Sequence, residues 1–352
     1  MLRLDYGGLV IAVEGPAAPL AWLREFVGAA FDDAHPGAAG APEHRVRVAY
    51  ARPAAVRGET IEVFSLDGDF VRLPATRTPD RGLRLHDEAQ GIGYELRRGE
   101  AAIVADADGP ALRLALLRVA REIATAHALR AGRLHLHAAA LEVDGSVVAL
   151  AGRRRSGKTT LLLHALLAGG ARYVTNDRLF VDLSADPPLA RGMPAIVTLR
   201  DETLARFPAF AERLAASGFA RERTIAESSP GTPSRPNLSP AQLRALTGAG
   251  ESPGGPLRAI VLPAVDPAVP RFEIRQFAPG DAAARVRDGL FLATLPERPA
   301  RAFATDAAPR DGPALDRLCA DLAARVPCLD VRLGPGAYRA PAVWDAIRER
   351  VR

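Results

Sequence analysis

The chain has 352 residues, of which 48% are hydrophobic and 25% are charged, and this composition excludes a disordered or fibrous protein. Its 46 basic and 41 acidic residues are mixed along the chain, without a basic stripe that interleaves aromatics, so a nucleic-acid-binding protein is not expected despite the net charge of +5. The chain contains no apolar run of about 18 residues and no N-terminal signal sequence, which predicts a cytoplasmic protein without a membrane anchor.

Two rare residue types give further information. Lys158 is the only lysine, and arginine serves as the cation everywhere else. A compact ammonium fits sites that a planar guanidinium does not, so position 158 has a specific requirement. Cys319 and Cys328 have no His at metal-binding spacing, and we expect two buried thiols in a reducing compartment, with a disulfide as the alternative.

The sequence of residues 1–131 predicts a smaller α+β lobe that is rich in strands. Alternating apolar residues between turn clusters predict strands at residues 9–13, 44–51, 61–64, 70–73, 94–97 and 102–105. A helix is expected near residues 20–31. A second helix is expected over residues 110–131, because Pro110 lies near its start, Gly132 follows its end, and apolar residues recur between them at spacings of three and four.

Residues 132–352 predict an α/β domain with a mixed, largely β core sheet. Residues 134–143 and 147–151 read as strands that the turn Asp144-Gly145 joins into a hairpin. A loop, a helix over 159–167 and a strand at 173–175 follow. The remaining predicted elements are strands at 258–262 and 328–333, helices at 315–325 and 343–351, and Pro/Gly/Ser-rich loops at 228–239 and 249–256.

The segment between the second strand and the helix has the pattern G-x-x-x-x-G-K-T of a phosphate-binding loop. The glycines let successive backbone N–H groups point at phosphate oxygens, and the following helix presents its positive end to the same anion. Lys158 is expected to reach the outer phosphates of ATP and Thr159 to bind Mg²⁺. The alternative is a glycine-rich turn without a function. The predicted nucleotide-binding residues are Gly152, Arg153, Arg154, Arg155, Ser156, Gly157, Lys158, Thr159 and Thr160.

Two further residues are candidates for chemistry. Asp177 follows the strand after the loop helix, where a carboxylate could act as a general base or as a second Mg²⁺ ligand; the alternative is an ordinary turn or cap residue. If the two strands of the hairpin are neighbours, His137 projects to the mouth of the loop, with His135 on the same face. A His in a strand is otherwise a packed or exposed residue.

The run from His137 to Asp177, HAAALEVDGSVVALAGRRRSGKTTLLLHALLAGGARYVTND, resembles the core of the HPr serine kinase/phosphorylase superfamily. It is especially similar to the shorter HPr-kinase-like proteins found with peptide natural-product and carrier genes. The resemblance implies a P-loop kinase fold in which Asp177 deprotonates the acceptor hydroxyl and His137 assists. Asn176 stands where the family has a first Asp, and Leu189 and Ala190 stand where a second Mg²⁺-binding Glu is expected. These departures argue against phosphorylase activity and against HPr as the substrate.

Three functions remain as hypotheses from sequence. The first is an ATP- and Mg²⁺-dependent kinase that acts on a Ser or Thr hydroxyl of a protein or peptide. The second is a nucleotide-dependent binding or assembly ATPase, and the third is a small-molecule kinase. Asp177 with His137 favours a kinase, because a switch ATPase needs a water-orienting Gln or Glu and an Arg finger that the sequence does not place. The sequence leaves open whether the protein forms a homo-oligomer.

Overall fold

The structure is a computed structural model that describes residues 1–33, 43–66, 69–80, 82–153, 155–219, 236–290, 312–338 and 342–351. The chain divides into two compact units, one from Met1 to Ala131 and one that begins at Gly132. Each unit combines helices with one large sheet, so the protein is mixed α/β. None of the described helices combines the length and the apolar content that a bilayer crossing needs.

The first unit is a nine-stranded sheet with two α-helices. Its elements are β1 (Leu2–Tyr6), β2 (Leu9–Glu14), α1 (Ala17–Val27), β3 (Asp32–Asp33), β4 (His44–Tyr50), β5 (Glu59–Leu66), β6 (Asp69–Arg77), β7 (Leu83–Asp87), β8 (Ile92–Arg97), β9 (Glu100–Ala105) and α2 (Pro110–Arg130). The strand order is β3-β1-β2-β4-β9-β8-β7-β6-β5. Among the strands that the structure describes in this sheet, the β2–β4 and β4–β9 pairs are parallel and the others antiparallel, and α2 packs on β2, β4, β8 and β9.

The second unit carries the predicted loop. Its strands are β10 (Leu134–Val143), β11 (Ser146–Ala151), β12 (Arg172–Thr175), β13 (Arg178–Asp182), β14 (Leu189–Met193), β15 (Val197–Thr198), β16 (Asn237–Leu238), β17 (Gly254–Val265), β18 (Phe272–Gln276) and β19 (Cys328–Leu333). Its helices are α3 (Lys158–Ala168), α4 (Asp201–Leu204), α5 (Pro208–Ser217), α6 (Pro240–Thr247), α7 (Pro279–Asp288), α8 (Gly312–Arg325) and α9 (Ala342–Val351).

The long strand β10 takes part in two ladders of this unit. Its second half pairs with β11 through the predicted Asp144-Gly145 turn, and its first half pairs with β13. Strand β11 pairs with β10 on one side and with β17 on the other, where the two strands are parallel. Strand β17 in turn lies parallel to β19. Strand β14 joins β13 to the first residues of β17. The five strands β10, β13, β14, β17 and β11 therefore form a closed ring of pairings.

The pairing of β14 with β17 corrects one prediction. Residues 249–256 were expected to form a loop, but Gly254 already belongs to β17. A Cβ on Gly254 would lie 2.0 Å from the carbonyl oxygen of Ala190, and its φ is +132°. Only glycine allows this close approach of two backbones. The predicted loop at 228–239 lies mostly outside the described residues, and its end contains β16.

Alternating side chains of the sheet supply two cores, one on each face. On β10, Ala139 and Leu141 belong to the core under α3, α5, α6 and α9, whereas Leu136 and Ala138 belong to the core under α7 and α8. This period of two explains why the nearly continuous apolar run of the hairpin folds as strands that are buried on both faces. Cys319 and Cys328 are buried free thiols, as expected, and burial raises the pKa of each to about 11.

Candidate functional site

The Gly152–Thr159 loop connects the end of β11 directly to the start of α3. Gly152 and Gly157 have φ values of +136° and +104°, and Arg155 has a φ of +67°. A Cβ on Gly152 would lie 3.1 Å from the Ser156 hydroxyl. The tight curl thus requires glycine at both ends. The helix begins at Lys158, one residue before the predicted start.

Lys158 is held inside this curl. Its Nζ donates hydrogen bonds to the carbonyl oxygens of Gly152 at 2.6 Å and Arg153 at 3.0 Å. Burial lowers the pKa of Lys158 to about 8, while the nearby charge of Asp177 acts in the opposite direction. An anion bound in the loop would stabilise the charged form of Lys158, because its negative charge compensates for the hydration that burial removes from the ammonium.

The other side chains of the loop differ in whether they are buried, exposed or already in contact with a neighbouring residue. The Ser156 hydroxyl is buried and has no hydrogen-bond partner among the described residues. The Thr160 hydroxyl lies 3.0 Å from that of Thr203 in α4, so α4 is fixed beside the first turn of α3. Arg153 lies 3.4 Å from Asp288 of α7, Arg155 is exposed, and Arg154 lies outside the described residues. The Ser156 hydroxyl is thus closed to solvent, whereas Arg155 is open to it.

The structure brings the two predicted chemical residues together. The Nε2 atom of His137 lies 3.1 Å from Oδ1 of Asp177, and both side chains are about one third exposed, at 30% and 33%. Pairing of β10 with β13 causes this contact, because His137 lies opposite Arg178 and the Ala138 N–H donates to the Asp177 carbonyl. In the β10–β11 ladder, Ala138 lies opposite Ala151, the last residue of β11 before the loop. His137 directly precedes Ala138, so it lies beside the start of the loop.

Arg178 is a neighbour of this pair that the sequence did not single out. Its side chain is 6% exposed, and its Nε atom lies 3.8 Å from Oδ2 of Asp177. Asp177 therefore has a His on one oxygen, an Arg on the other and the charge of Lys158 nearby. The signal in the sequence that could have identified Arg178 is its position directly after the candidate carboxylate.

Asn176 and His135 have structural contacts instead. The Asn176 amide accepts a hydrogen bond from the Tyr173 hydroxyl at 2.8 Å and donates one to the Ile196 carbonyl at 3.0 Å. An Asp carboxylate could not donate to that carbonyl, which gives a physical reason for the amide. His135 is buried and stacks on Phe180 with 4.3 Å between ring centroids, so it packs within the fold rather than joining His137.

Thr159 and Asp177 are the residues that the sequence predicts as oxygen ligands of a divalent cation at the loop. Hydroxyl and carboxylate oxygens are hard donors, and Mg²⁺ is commonly held by one or two protein ligands together with phosphate oxygens. In the described part of the chain, no three His, Cys, Asp or Glu residues cluster as metal ligands. Leu189 and Ala190 stand where the resemblance leads one to expect a second Mg²⁺-binding Glu. They pair with Asp182 and Val181, at the end of β13 that lies away from Asp177. The residues present thus fit a cation that a bound polyphosphate helps to hold.

Comparison with known proteins adds no family to this site. A scan against protein-family models found no match to the chain. A search of curated proteins found no match either. The resemblance to the HPr serine kinase/phosphorylase superfamily therefore stays a prediction, and function has to be inferred from the geometry of the site.

Proposed function

We propose that the second unit is a P-loop kinase domain of the HPr-kinase-like type. It binds ATP and Mg²⁺ on the Gly152–Thr159 loop and transfers the terminal phosphoryl group to a Ser or Thr hydroxyl of a protein or peptide. The observation that carries the proposal is the 3.1 Å contact of His137 with Asp177, placed where Asp177 also senses the charge of Lys158. It puts a candidate base and a candidate phosphate ligand in one site.

The loop supplies the anion site in this mechanism. Backbone N–H groups of the curl and the N-terminus of α3 point at the phosphates, and Lys158 exchanges its two carbonyl partners for phosphate oxygens. Thr159 and Asp177 would hold Mg²⁺, which supplies neutralisation of phosphate charge when it is bound. These interactions position the terminal phosphate toward β10 and β13, where Asp177 lies.

Asp177 then acts on the acceptor. Its carboxylate takes the proton of the acceptor hydroxyl as the oxygen–phosphorus bond to the acceptor forms and the bond to the bridging oxygen of ADP breaks. His137 holds Oδ1 of Asp177 and so orients the carboxylate. Arg178 lies beside Oδ2 and holds the other side of the carboxylate.

The acceptor class rests on the family resemblance and on exposure. Both side chains of the pair are about one third open to solvent, which suits a hydroxyl carried on a macromolecule. ATP hydrolysis without an acceptor is the competing function, and the same site geometry would support it if water took the place of the hydroxyl. Labelled ATP distinguishes the two outcomes, since only a kinase leaves the label on a protein or peptide.

The test compares Asp177→Asn, His137→Ala and a control, Asp288→Asn, whose carboxylate lies by the loop but contacts Arg153. Asp177→Asn should lower transfer of labelled phosphate to a Ser/Thr peptide library by about 10²–10⁴, a much larger loss than the loss of Mg²⁺-ATP affinity from removing one of its ligands, with the melting temperature nearly unchanged. His137→Ala should cause a smaller loss, and Asp288→Asn little. Native transfer rates in Asp177→Asn would contradict the role of Asp177. Label released only as free phosphate would instead favour the ATPase.

A further inference from the structure

The strand order separates two sides of the loop. Strand β11 lies between β10 on one side and β17 on the other. His137 and Asp177 belong to the β10 side, whereas β17 and its parallel neighbour β19 end on the opposite side. A polyphosphate whose terminal group faces Asp177 must direct its other end toward the ends of β17 and β19. Ligands of open parallel sheets bind outside such carboxyl ends.

Three side chains meet the loop on that opposite side. A Cβ on Gly157 would lie 3.3 Å from Leu333 Cδ1, 3.7 Å from Val265 Cγ2 and 3.7 Å from the Tyr338 hydroxyl. Val265 is the last residue of β17 and is 52% exposed. The Tyr338 hydroxyl is buried and has no hydrogen-bond partner among the described residues. An apolar side chain open to solvent and an unsatisfied hydroxyl thus adjoin the start of α3.

Backbone contacts fix Tyr338 in this place. The segment after β19 is tied to the β17–β18 connection, because Gly334 N–H donates to the Arg271 carbonyl at 2.7 Å and Gly336 N–H to the Pro270 carbonyl at 3.1 Å. The Tyr338 ring lies edge-on to His164 of α3 at 5.4 Å and to Phe207 at 5.9 Å between centroids. The ring is therefore a rigid support rather than a free surface.

Arg206 lies on that support. Its guanidinium carbon is 5.2 Å from the centroid of the Tyr338 ring, and the residue is exposed. The contact between Thr203 and Thr160 fixes the preceding helix α4 against the first turn of α3, which keeps Arg206 near the loop. Planar guanidinium groups stack on nucleobases, and an Arg already held on an aromatic ring loses less freedom when it does so.

We infer that Val265 and Arg206, supported by Tyr338, form the subsite for the nucleoside part of a nucleoside 5′-triphosphate. The base stacks on the Arg206 guanidinium and contacts the Val265 side chain, and the Tyr338 ring supports Arg206 from the other side. This inference rests on the proposed nucleotide binding at the Gly152–Thr159 loop. It adds that the protein recognises a nucleoside and does not merely bind polyphosphate.

Calorimetry with Mg²⁺-ATP and with Mg²⁺-tripolyphosphate tests the inference on the full chain. The native protein should bind both ligands, and ATP at least about tenfold more tightly. Val265→Ser and Arg206→Ala should each weaken ATP binding about 5–20-fold and change tripolyphosphate binding less than about twofold, since one stacked base contributes about that range. Leu189→Ser is the matched control: Leu189 is 45% exposed and lies across from Pro256, near the opposite end of β17. It should leave both affinities unchanged.

The outcomes separate the two claims. If the native protein binds neither ligand, the proposed function fails and the subsite fails with it. If tripolyphosphate binds but ATP binds no more tightly, the loop stands and the nucleoside subsite is overturned. An Arg206→Ala variant that loses both affinities equally would identify Arg206 as a phosphate contact and would also overturn the stacking. Charge loss alone cannot produce a selective effect on ATP, because tripolyphosphate carries at least as much negative charge.

Discussion

Replacing Lys158 with Met should strongly weaken nucleotide binding and at the same time stabilise the fold. Met keeps the length of the side chain and its apolar character but lacks the ammonium. In the native protein this ammonium is buried, and its pKa falls from the ordinary 10.5 to about 8. Because the folded pKa is lower than the unfolded one, the unfolded chain holds the proton more tightly, and the charged form opposes folding at neutral pH.

The magnitude follows from the pKa gap. A difference of about 2.5 pH units corresponds to about 3 kcal/mol at neutral pH. The variant also loses the two hydrogen bonds from Nζ to the carbonyls of Gly152 and Arg153, each worth about 0.5–1 kcal/mol. The net gain should therefore be about 1–2 kcal/mol, which for a unit of this size raises the melting temperature by about 2–8 °C. Mg²⁺-ATP affinity should fall about 10²-fold, since a charge-assisted bond to phosphate is lost.

Differential scanning fluorimetry and calorimetry measure both effects. Native stability should rise between about pH 8 and pH 10, where the unfolded chain still binds the Lys158 proton and the folded chain has released it. That rise should vanish in Lys158→Met. Arg153→Met is the matched control, because Arg153 is an exposed cation of the same loop. It should change stability by less than about 0.5 kcal/mol. A Lys158→Met variant that is less stable than the native protein, or that binds ATP normally, would refute the reasoning.

Two other predictions concern the loop charge and the support beneath Tyr338. Mg²⁺-ATP affinity should fall about tenfold between pH 7 and pH 9 in calorimetry, because only protonated Lys158, with a pKa of about 8, pairs with phosphate; a flat profile over this range would argue against Lys158 as a ligand. Gly334→Ala should lower the free energy of unfolding by about 2–3 kcal/mol in denaturant titrations, because its Cβ would lie 1.6 Å from the Val269 carbonyl oxygen. Gly280→Ala, with no atom within 4 Å, should be neutral or slightly stabilising, and equal effects at both positions would contradict this packing.

Local signals explain which elements the sequence could predict. The β10–β11 hairpin was predicted almost to the residue, because Asp144 and Gly145 both adopt the positive φ that the tight turn requires and the flanking residues are apolar. Strands β13 and β14 were not predicted, since β13 has only three consecutive apolar residues between Arg178 and Asp182, and Arg191 interrupts the apolar pattern of β14. Gly254 was predicted to lie in a loop, because glycine weakens strands and often marks their ends. Its place in β17 is explained only by the close approach of the Ala190 backbone.

The candidate site also has one part that local sequence could predict and another part that it could not. The loop itself was readable from its glycines, Lys158 and the order strand, loop, helix. The approach of His137 to Asp177 depends on how β10 pairs with β13, which lies between residues far apart in the chain and cannot be obtained from local pattern. Val265 and Tyr338 were missed for a similar reason, because they reach Gly157 only when β17 and β19 lie beside β11.

The closed ring of β10, β13, β14, β17 and β11 has a consequence for the dynamics of the loop. Strand β11 is paired on both sides, so the amide protons of its middle residues, such as Ala149, can exchange with solvent only when neighbouring strands separate. Opening of that kind approaches the free energy of unfolding the whole unit, whereas amides of the loop need only local fluctuation. The loop can therefore change shape around a ligand while the strand that carries it stays fixed. Exchange rates at Ala149 and Ser156 would report these two motions separately.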